Sequence, residues 1–417
     1  MNILVLSPVI LSGISRSAGV KCPAGGGWIE SIINAMCAID KTLRFVVICR
    51  GNIDCEVADG SVRCVATSDR KIRETIANII SGFRPDVIHI NGTEFDYGAF
   101  PLESYGGVPV VVSLQGIISG CYPHYVGGLS KSEMFGTRFT LRTLLKGDSI
   151  FSVQDKWRKI RSNTEARTIR QHKYFIGRTE WDEAWVRYYN PSAVYFHVNE
   201  TMRDQFYNVR REYKDISRHT IFCGGAAGYP LKGVHWLIRA VASLKSTYPD
   251  VRLRIAAAHD KIAPYRSFKA RLKDSAYAMY LRRLIAELGV RDCVVGLPVL
   301  SADEMASELK SAELFVLPSL CENSPNSLCE AMLVGTPSIA TFVGGVPSIL
   351  HDGVEGRLVP SSDPAALAEA IRLWFMHPEE ANKCAEAARM TAFVRHDRER
   401  NAKAMLDVFR KVVSNAS

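Results

Sequence analysis

The 417-residue sequence has no apolar run long enough to span a bilayer and no low-complexity tract. Hydrophobic residues make up 47% of the chain and charged residues 23%, a balance typical of a globular protein. No cationic residue precedes the apolar N-terminal stretch, which Ser7-Pro8 interrupts, so a first strand is predicted there rather than a signal peptide. We therefore expect a cytoplasmic protein.

Paired cysteine motifs are also lacking: the eleven cysteines form no C-x-x-C pair and no cluster with histidine. Scattered cysteines are typical of reduced thiols and argue against structural zinc. No D-x-D pair follows a strand in a setting suited to a metal-bound diphosphate. The sequence therefore predicts a reaction that needs no metal.

Two domains are indicated by length and by the order of elements. A chain of this length exceeds one ordinary hydrophobic core. Short apolar runs alternate with amphipathic stretches up to residue 198, and a second such series begins at Thr220. This alternation predicts an α/β fold of parallel sheets covered by helices. We predict one Rossmann-like domain at 1–205 and another at 206–417, with a linker within 203–218.

The segment from Cys321 to Pro360 carries most of the functional information. It follows Ala312–Leu320, a predicted buried strand, and open α/β sheets bind ligands where such strands end. A helix predicted to start near Ser327 would offer free amides and a dipole that favour a pyrophosphate. Glu322 precedes this helix and Glu330 lies within it, and both carboxylates can accept hydrogen bonds from hydroxyls. Phosphate and hydroxyls together indicate a nucleotide sugar.

A simpler interpretation exists for both glutamates. Ser327-x-x-Glu330 is also a capping box, and Glu322 can be a solvated loop carboxylate. The residues that follow favour the ligand site. They are Gly335-Thr336-Pro337, Gly344-Gly345-Val346-Pro347 and Asp352-Gly353-x-x-Gly356. The whole array resembles the donor-site signature of retaining glycosyltransferases of family four, an E-x(7)-E motif followed by EAM-x-x-G-x-P, GG-x-P and DG-x-x-G.

The resemblance implies a GT-B fold, in which two Rossmann-like domains face a central cleft and the last helix, about 398–417, crosses back to the first domain. It also implies a nucleotide-diphosphate sugar as donor substrate, with UDP-sugar favoured and GDP-sugar possible, and no cofactor. Gly296-Leu297-Pro298 falls where related enzymes hold the nucleobase with backbone groups. The Gly-rich turn before the predicted helix at Trp28 would face the donor diphosphate.

Lys232 lies between a predicted strand and a predicted helix, where an ammonium can neutralise charge on a departing diphosphate. An exposed helix-start lysine is the alternative. The family pattern usually has an Arg six residues earlier, where this chain has Ala226, and Arg178 is our candidate replacement. Gln115 stands where many relatives carry a His that touches the donor sugar.

The candidate site residues fall into three groups by expected role. We assign catalysis to Glu322, Lys232 and Gln115, and donor binding to Gly26, Gly27, Arg178, Leu297, Asn326, Ser327, Leu328 and Glu330. Acceptor contacts are assigned to His89, Asn91, Glu94, Tyr122 and His124, although a strand-end histidine such as His89 is more often simply packed.

A net charge of +9 is concentrated in one stretch, because residues 138–173 contain ten Lys or Arg against three acids, interleaved with apolar side chains. Such a stretch is typical of a helical face on anionic lipid headgroups, or of an ordinary solvated surface. No nucleic-acid-binding module accompanies it. We therefore expect no nucleic acid as partner and possible peripheral binding to the cytoplasmic membrane, while the resemblance implies a saccharide or lipid-linked acceptor.

The resemblance therefore implies a retaining, metal-independent hexosyl-type glycosyltransferase, which we expect to act in bacterial surface polysaccharide synthesis. Two alternatives stay open. A nucleotide-sugar epimerase of the same fold would need an acid and a base at the sugar, and a catalytically silent sugar-binding subunit would explain Ala226 and Gln115.

Overall fold

The structure, a computed structural model, describes residues 1–17, 19, 27–51, 53–133, 147, 149–224, 228–265, 267, 272 and 274–416. The chain forms two compact units. The first contains Met1–Ser119, Lys159–Arg203 and Arg395–Ser417, and the second contains Gly120–Arg158 and Asp204–Val394. The last helix thus belongs to the first unit, and the unit boundary follows Arg203. Segment 120–158, which the sequence analysis included in the first domain, belongs to the second unit.

The first unit is built on an eight-stranded sheet in the order β3-β4-β2-β1-β5-β6-β7-β8. All neighbouring strands are parallel except β3 and β4, which form an antiparallel hairpin at the edge. The strands are β1 (Asn2–Ser7), β2 (Arg44–Arg50), β3 (Cys55–Asp59), β4 (Val62–Thr67), β5 (Val87–Asn91), β6 (Val110–Ser113), β7 (Tyr174–Gly177) and β8 (Val194–His197).

Both faces of this sheet are covered, as the continuous apolar run of β1 predicts for a parallel strand. Successive side chains point to opposite faces. Ile3 and Val5 therefore join the core under the last helix of the chain, whereas Leu4 and Leu6 join the core on the other face.

The second unit has a six-stranded sheet, entirely parallel, in the order β11-β10-β9-β12-β13-β14. Chain order reverses between β9 and β12, and ligands bind outside the carboxyl ends of the strands at such a switch point. The strands are β9 (Ser217–Cys223), β10 (Arg252–Ile255), β11 (Val294–Gly296), β12 (Ala312–Leu317), β13 (Ser338–Thr341) and β14 (Arg357–Val359).

Helices cover the sheets of both units. In chain order they are α1 (Ser12–Ser17), α2 (Gly27–Ile39), α3 (Ile72–Phe83), α4 (Ile118–Cys121), α5 (Ile150–Lys156), α6 (Ser162–Gln171), α7 (Glu180–Tyr189), α8 (Asp204–Asn208), α9 (Val234–Leu244), α10 (His259–Ile262), α11 (Ala276–Glu287), α12 (Ala302–Ser311), α13 (Asn326–Val334), α14 (Pro364–Met376), α15 (Pro378–Arg395) and α16 (Arg398–Ser414). Among the described residues, no helix combines the length and the apolar character needed to cross a membrane.

Several element boundaries differ from the sequence predictions. The sequence pattern predicts a helix over 234–248, but α9 ends at Leu244, and it predicts another over 379–390, but α15 continues to Arg395. A helix predicted over 268–288 is described as α11 only from Ala276, because residues 268–271 and 273 lie outside the described part.

Candidate functional site

The loops after β9 and β12 meet at the switch point of the second unit, and they carry Lys232 and Glu322. Lys232 ends the short 3-10 turn Pro230–Lys232, which Gly233 follows at φ +67°. A Cβ at Gly233 would overlap the Pro318 carbonyl at the end of β12, so only glycine lets this turn lie against that strand. The Leu320 amide also donates to the Leu231 carbonyl at 2.8 Å.

Lys232 and Glu322 form an ion pair in this position. The Lys232 Nζ lies 2.6 Å from Glu322 Oε1, and the two side chains are 22% and 12% exposed. The Ser319 hydroxyl donates to the same carboxylate oxygen at 2.7 Å. Burial lowers the pKa of Lys232, but the Glu322 carboxylate outweighs it and the net pKa is above that of free lysine. Lys232 therefore stays positively charged at neutral pH, paired with the Glu322 carboxylate.

Helix α13 begins at Asn326, four residues beyond Glu322 and one residue before the predicted Ser327, but its cap differs from the prediction. The N-cap is Pro325, without a side-chain cap, so Ser327 and Glu330 do not form a capping box. The Leu328 amide already donates to the Pro325 carbonyl at 3.0 Å, which leaves Asn326 and Ser327 as the better amide donors for a ligand. Asn326 Oδ1 is buried without a hydrogen-bond partner, a state that an added donor would relieve.

Glu330 lies one turn into α13 and is buried. It is therefore not a solvated surface carboxylate, and a binding role for it stays a prediction.

The prediction that Leu297 holds a nucleobase through its backbone meets a difficulty. Its amide donates to the Ile255 carbonyl at 2.8 Å, and its carbonyl accepts from the amides of Ala258 and His259, each at 2.9 Å. Both backbone groups are thus engaged within the protein. A base at this position would contact the half-buried Leu297 side chain instead.

In the first unit, four predicted residues line one cavity of about 20 Å³ at the carboxyl ends of β5, β6 and β7: His89, Asn91, Gln115 and Arg178. His89 Nε2 lies 2.7 Å from the Ser113 hydroxyl, and burial lowers the pKa of His89 to about 4. Its ring also contacts Phe409. His89 is therefore neutral and packed, whereas Asn91 Oδ1 is buried without a partner.

Arg178 is buried and forms an ion pair with Glu200, and it also donates to the Leu114 carbonyl. Its charge is thus compensated within the first unit, so it does not offer the free cation that the sequence analysis proposed as a replacement at the Ala226 position. Ala226 itself lies outside the described residues, as does Gly26. Gly27 is described and is the first residue of α2.

The remaining acceptor candidates are not at this cavity. Glu94 Oε2 is buried without a hydrogen-bond partner, and burial raises the pKa of Glu94 to about 7, with Glu165 adding to the rise. Glu165 in turn accepts from the amides of Ile118 and Ser119 at 2.8 Å each. Tyr122 and His124 belong to the second unit, where His124 is exposed.

Two positioning residues escaped the sequence analysis. Ser319 orients Glu322, and its signal was a polar residue directly after a buried strand. Glu200 compensates the charge of Arg178, and no pattern near Glu200 in the sequence indicates this role.

In the described part of the chain, no group of three or more His, Cys, Asp or Glu side chains is arranged to hold a metal ion. Metal independence stays a prediction.

Comparison with known proteins agrees with this geometry. Residues 214–391 match the family model described as Glycosyl transferases group 1. The D-inositol 3-phosphate glycosyltransferase of Streptomyces coelicolor is 34% identical over 159 residues, a stretch that covers 38% of this chain and only 33% of that protein.

Solved structures match over the whole chain. Sucrose-phosphate synthase from Thermosynechococcus elongatus has a TM-score of 0.74 at 17% identity, with all of both chains covered. Anabaena HepE in complex with UDP-glucose has a TM-score of 0.65 at 16% identity, covering 100% of this chain and 99% of that one. The chain therefore has the GT-B glycosyltransferase fold, and its residues 214–391 match the glycosyl transferases group 1 model.

Proposed function

We propose that this protein is a retaining glycosyltransferase that moves a hexosyl group from a nucleotide-diphosphate sugar to a hydroxyl acceptor. The observation that carries the proposal is the Lys232–Glu322 pair at the switch point, 2.6 Å between Nζ and Oε1, beside the start of α13. A cation and the amides at a helix start match a diphosphate, and the carboxylate paired with that cation matches sugar hydroxyls.

In this mechanism the amides of Asn326 and Ser327 hold the pyrophosphate, while Glu330 accepts from the ribose hydroxyls. Glu322 accepts from the donor sugar. The bond between the anomeric carbon and the phosphate oxygen breaks, and the acceptor oxygen forms its bond on the same face. The acceptor proton passes to the departing phosphate, whose growing charge the Lys232 ammonium stabilises. No protein base is needed, which is consistent with Gln115 standing where relatives have a His.

UDP is our proposed carrier, because the structurally similar Anabaena protein was solved with UDP-glucose. The acceptor is a saccharide or a lipid-linked saccharide of a bacterial surface polysaccharide, and we keep His89, Asn91 and Gln115, which line one small cavity of the first unit, as its candidate contacts. The similarity to an inositol-phosphate glycosyltransferase adds phosphorylated polyols to the acceptors worth testing.

Thermal shift with UDP-, GDP- and ADP-sugars in the presence of EDTA tests the donor site. We expect one donor to stabilise the wild type by about 3 kcal/mol at a hundredfold excess over its Kd, and to stabilise Glu330→Ala far less. Incubation then separates the alternatives: an epimerase converts the donor without acceptor, and a silent subunit binds it unchanged. Absence of stabilisation by every donor contradicts the proposal.

We also propose peripheral binding to anionic membrane through the basic stretch, of which residues 138–146 and 148 lie outside the described part. Around the π-helical turn Trp157–Arg161, Ile160 is 59% exposed between the exposed Lys159 and Arg161. An apolar side chain among cations suits a lipid headgroup layer.

Vesicle co-sedimentation tests this binding. Replacing Lys156, Arg158, Lys159 and Arg161 by Gln should release the protein from phosphatidylserine vesicles, most clearly at low salt, because each cation contributes about 1 kcal/mol. The control removes the same charge from helix α16, by Gln at Arg400, Lys403, Arg410 and Lys411. Equal binding by both variants would show the basic stretch to be ordinary surface.

A further inference from the structure

One segment of the second unit comes from the middle of the first unit's sequence. Residues 120–158 follow β6 of the first sheet and precede β7, yet they pack within the second unit. We call Cys121–Leu129 the inserted loop. It contacts both elements that hold the Lys232–Glu322 pair, and nothing in the donor-site motif predicts this.

The first contact is a carbonyl shared by two donors. The Gly127 carbonyl accepts from His235 Nε2 and from Trp236 Nε1, each at 2.9 Å. Burial lowers the pKa of His235 to about 4, so the ring is neutral. Because a carbonyl can only accept, His235 carries its proton on Nε2, and its Nδ1 accepts from the Tyr277 hydroxyl at 2.8 Å. Both residues lie in the first turn of α9, directly after Lys232 and Gly233.

The second contact is close packing on the turn that carries Lys232. Gly127 has φ +75°, and a Cβ there would lie 2.6 Å from Pro230 Cβ and 2.7 Å from the Pro230 carbonyl oxygen. The ring of Tyr125 stacks on that of Tyr229, with centroids 5.9 Å apart and planes 5° from parallel. Tyr229 and Pro230 are the two residues that begin this turn. The inserted loop thus leaves the turn no room to move outward.

The third contact is with the loop that carries Glu322. Cys121 Sγ lies 3.2 Å from Cys321 Sγ, and both thiols are buried. Their hydrogen bond and burial keep the pKa of Cys121 well above its usual range. Cys121 is therefore a protonated, unreactive packing group that donates to the sulfur of Cys321, the residue immediately before Glu322.

From these contacts we propose that the inserted loop is a positioning element of the donor site, with Gly127 as its central residue. It packs against both the Pro230–Lys232 turn and the Cys321–Glu322 segment and so holds the two at a fixed separation. This separation sets the distance from the Lys232 ammonium to the departing diphosphate. The role of the inserted loop in catalysis rests on the proposed function, whereas its role in placing Lys232 rests on the contacts alone.

Gly127→Ala tests this role, and Gly107→Ala is a matched control. Both glycines have nearly the same positive φ, +75° and +76°, so both alanines carry similar backbone strain. A Cβ at Gly107 has no neighbour within 4 Å, whereas one at Gly127 must push Pro230 away. The backbone strain of an alanine is therefore common to both variants, and only Gly127→Ala adds a displacement of the turn that carries Lys232.

Two readouts follow the Lys232 ammonium. The first is the ratio of UDP to UMP affinity by calorimetry, which measures the contact to the second phosphate. We expect Gly127→Ala to lower this ratio about tenfold, since a misplacement of about 1 Å can cost as much as a hundredfold in function.

The second readout is the rate at which an N-hydroxysuccinimide ester acylates Lys232 in the absence of nucleotide, measured by peptide mass spectrometry. We expect Lys232 acylation to be several times faster in Gly127→Ala than in the wild type. In Gly107→Ala, the UDP-to-UMP affinity ratio and the Lys232 acylation rate should both equal those of the wild type.

The outcomes separate the two ideas. A wild type that binds neither UDP nor UMP contradicts the proposed donor, and the acylation rates still decide the positioning role. Wild-type values in both readouts for folded Gly127→Ala overturn the inference. If that variant does not fold, Trp236→Phe takes its place, since it removes one of the two donors to the Gly127 carbonyl and keeps an aromatic ring. Faster Lys232 acylation in this variant supports the inference, and an unchanged rate overturns it.

Discussion

Glu322→Gln is expected to lower the rate of sugar transfer by about 10²- to 10³-fold, the range seen when one preorganised polar group at a reacting centre is removed. Two losses combine. The amide accepts more weakly from the donor-sugar hydroxyls, and it no longer offsets the burial of Lys232, whose pKa then falls. Nucleotide affinity should change little, because the base, the ribose and most pyrophosphate contacts lie elsewhere.

The measurement is kcat with the donor that the thermal-shift panel selects, together with the Kd of its nucleoside diphosphate. Glu379→Gln is the matched control, since Glu379 is an exposed carboxylate of the same unit at the start of α15. It should keep the wild-type kcat. An unchanged kcat in Glu322→Gln would remove this residue from the reaction.

The placement of Lys232 and Glu322 could be predicted because it follows from local pattern and sheet topology. A buried strand, a loop and a helix start recur after β9 and after β12, and the parallel order of the sheet brings both loops to one switch point. Details that depend on partners distant in sequence could not be predicted. The compensation of Arg178 by Glu200 is one such detail, and the engagement of the Leu297 carbonyl by Ala258 and His259 is another.

The fold shows the same division between local and distant information. Parallel strands with continuous apolar runs were recognisable, but the edge hairpin of β3 and β4 was missed, because its strands are partly exposed and lack such a run. The two-residue Gly60-Ser61 connection is a hairpin signal that the sequence does contain. Packing of segment 120–158 in the second unit had no local signal, since the Cys121–Cys321 contact joins residues 200 positions apart.

The second prediction with a large effect concerns the pair as a unit. Lys232→Met and Glu322→Gln should each destabilise the second unit by about 3 kcal/mol, because each leaves a mostly buried group without its partner. The double variant should recover most of this loss, since an apolar side chain and a neutral amide need no compensation. Transfer activity should be lost in all three variants, because the Lys232 ammonium or the Glu322 carboxylate is missing in each.

Urea unfolding of the ligand-free variants at pH 7 measures the coupling. The pH is appropriate because the folded-state pKa of Lys232 is raised: the stability that the pair contributes is complete below the ordinary pKa of lysine and is lost only as the pH rises through the higher, folded value. Additive destabilisation in the double variant would mean that the 2.6 Å contact contributes no coupling energy. Recovered stability without recovered activity would instead show that the two charges are retained for the reaction, since the fold does not need them.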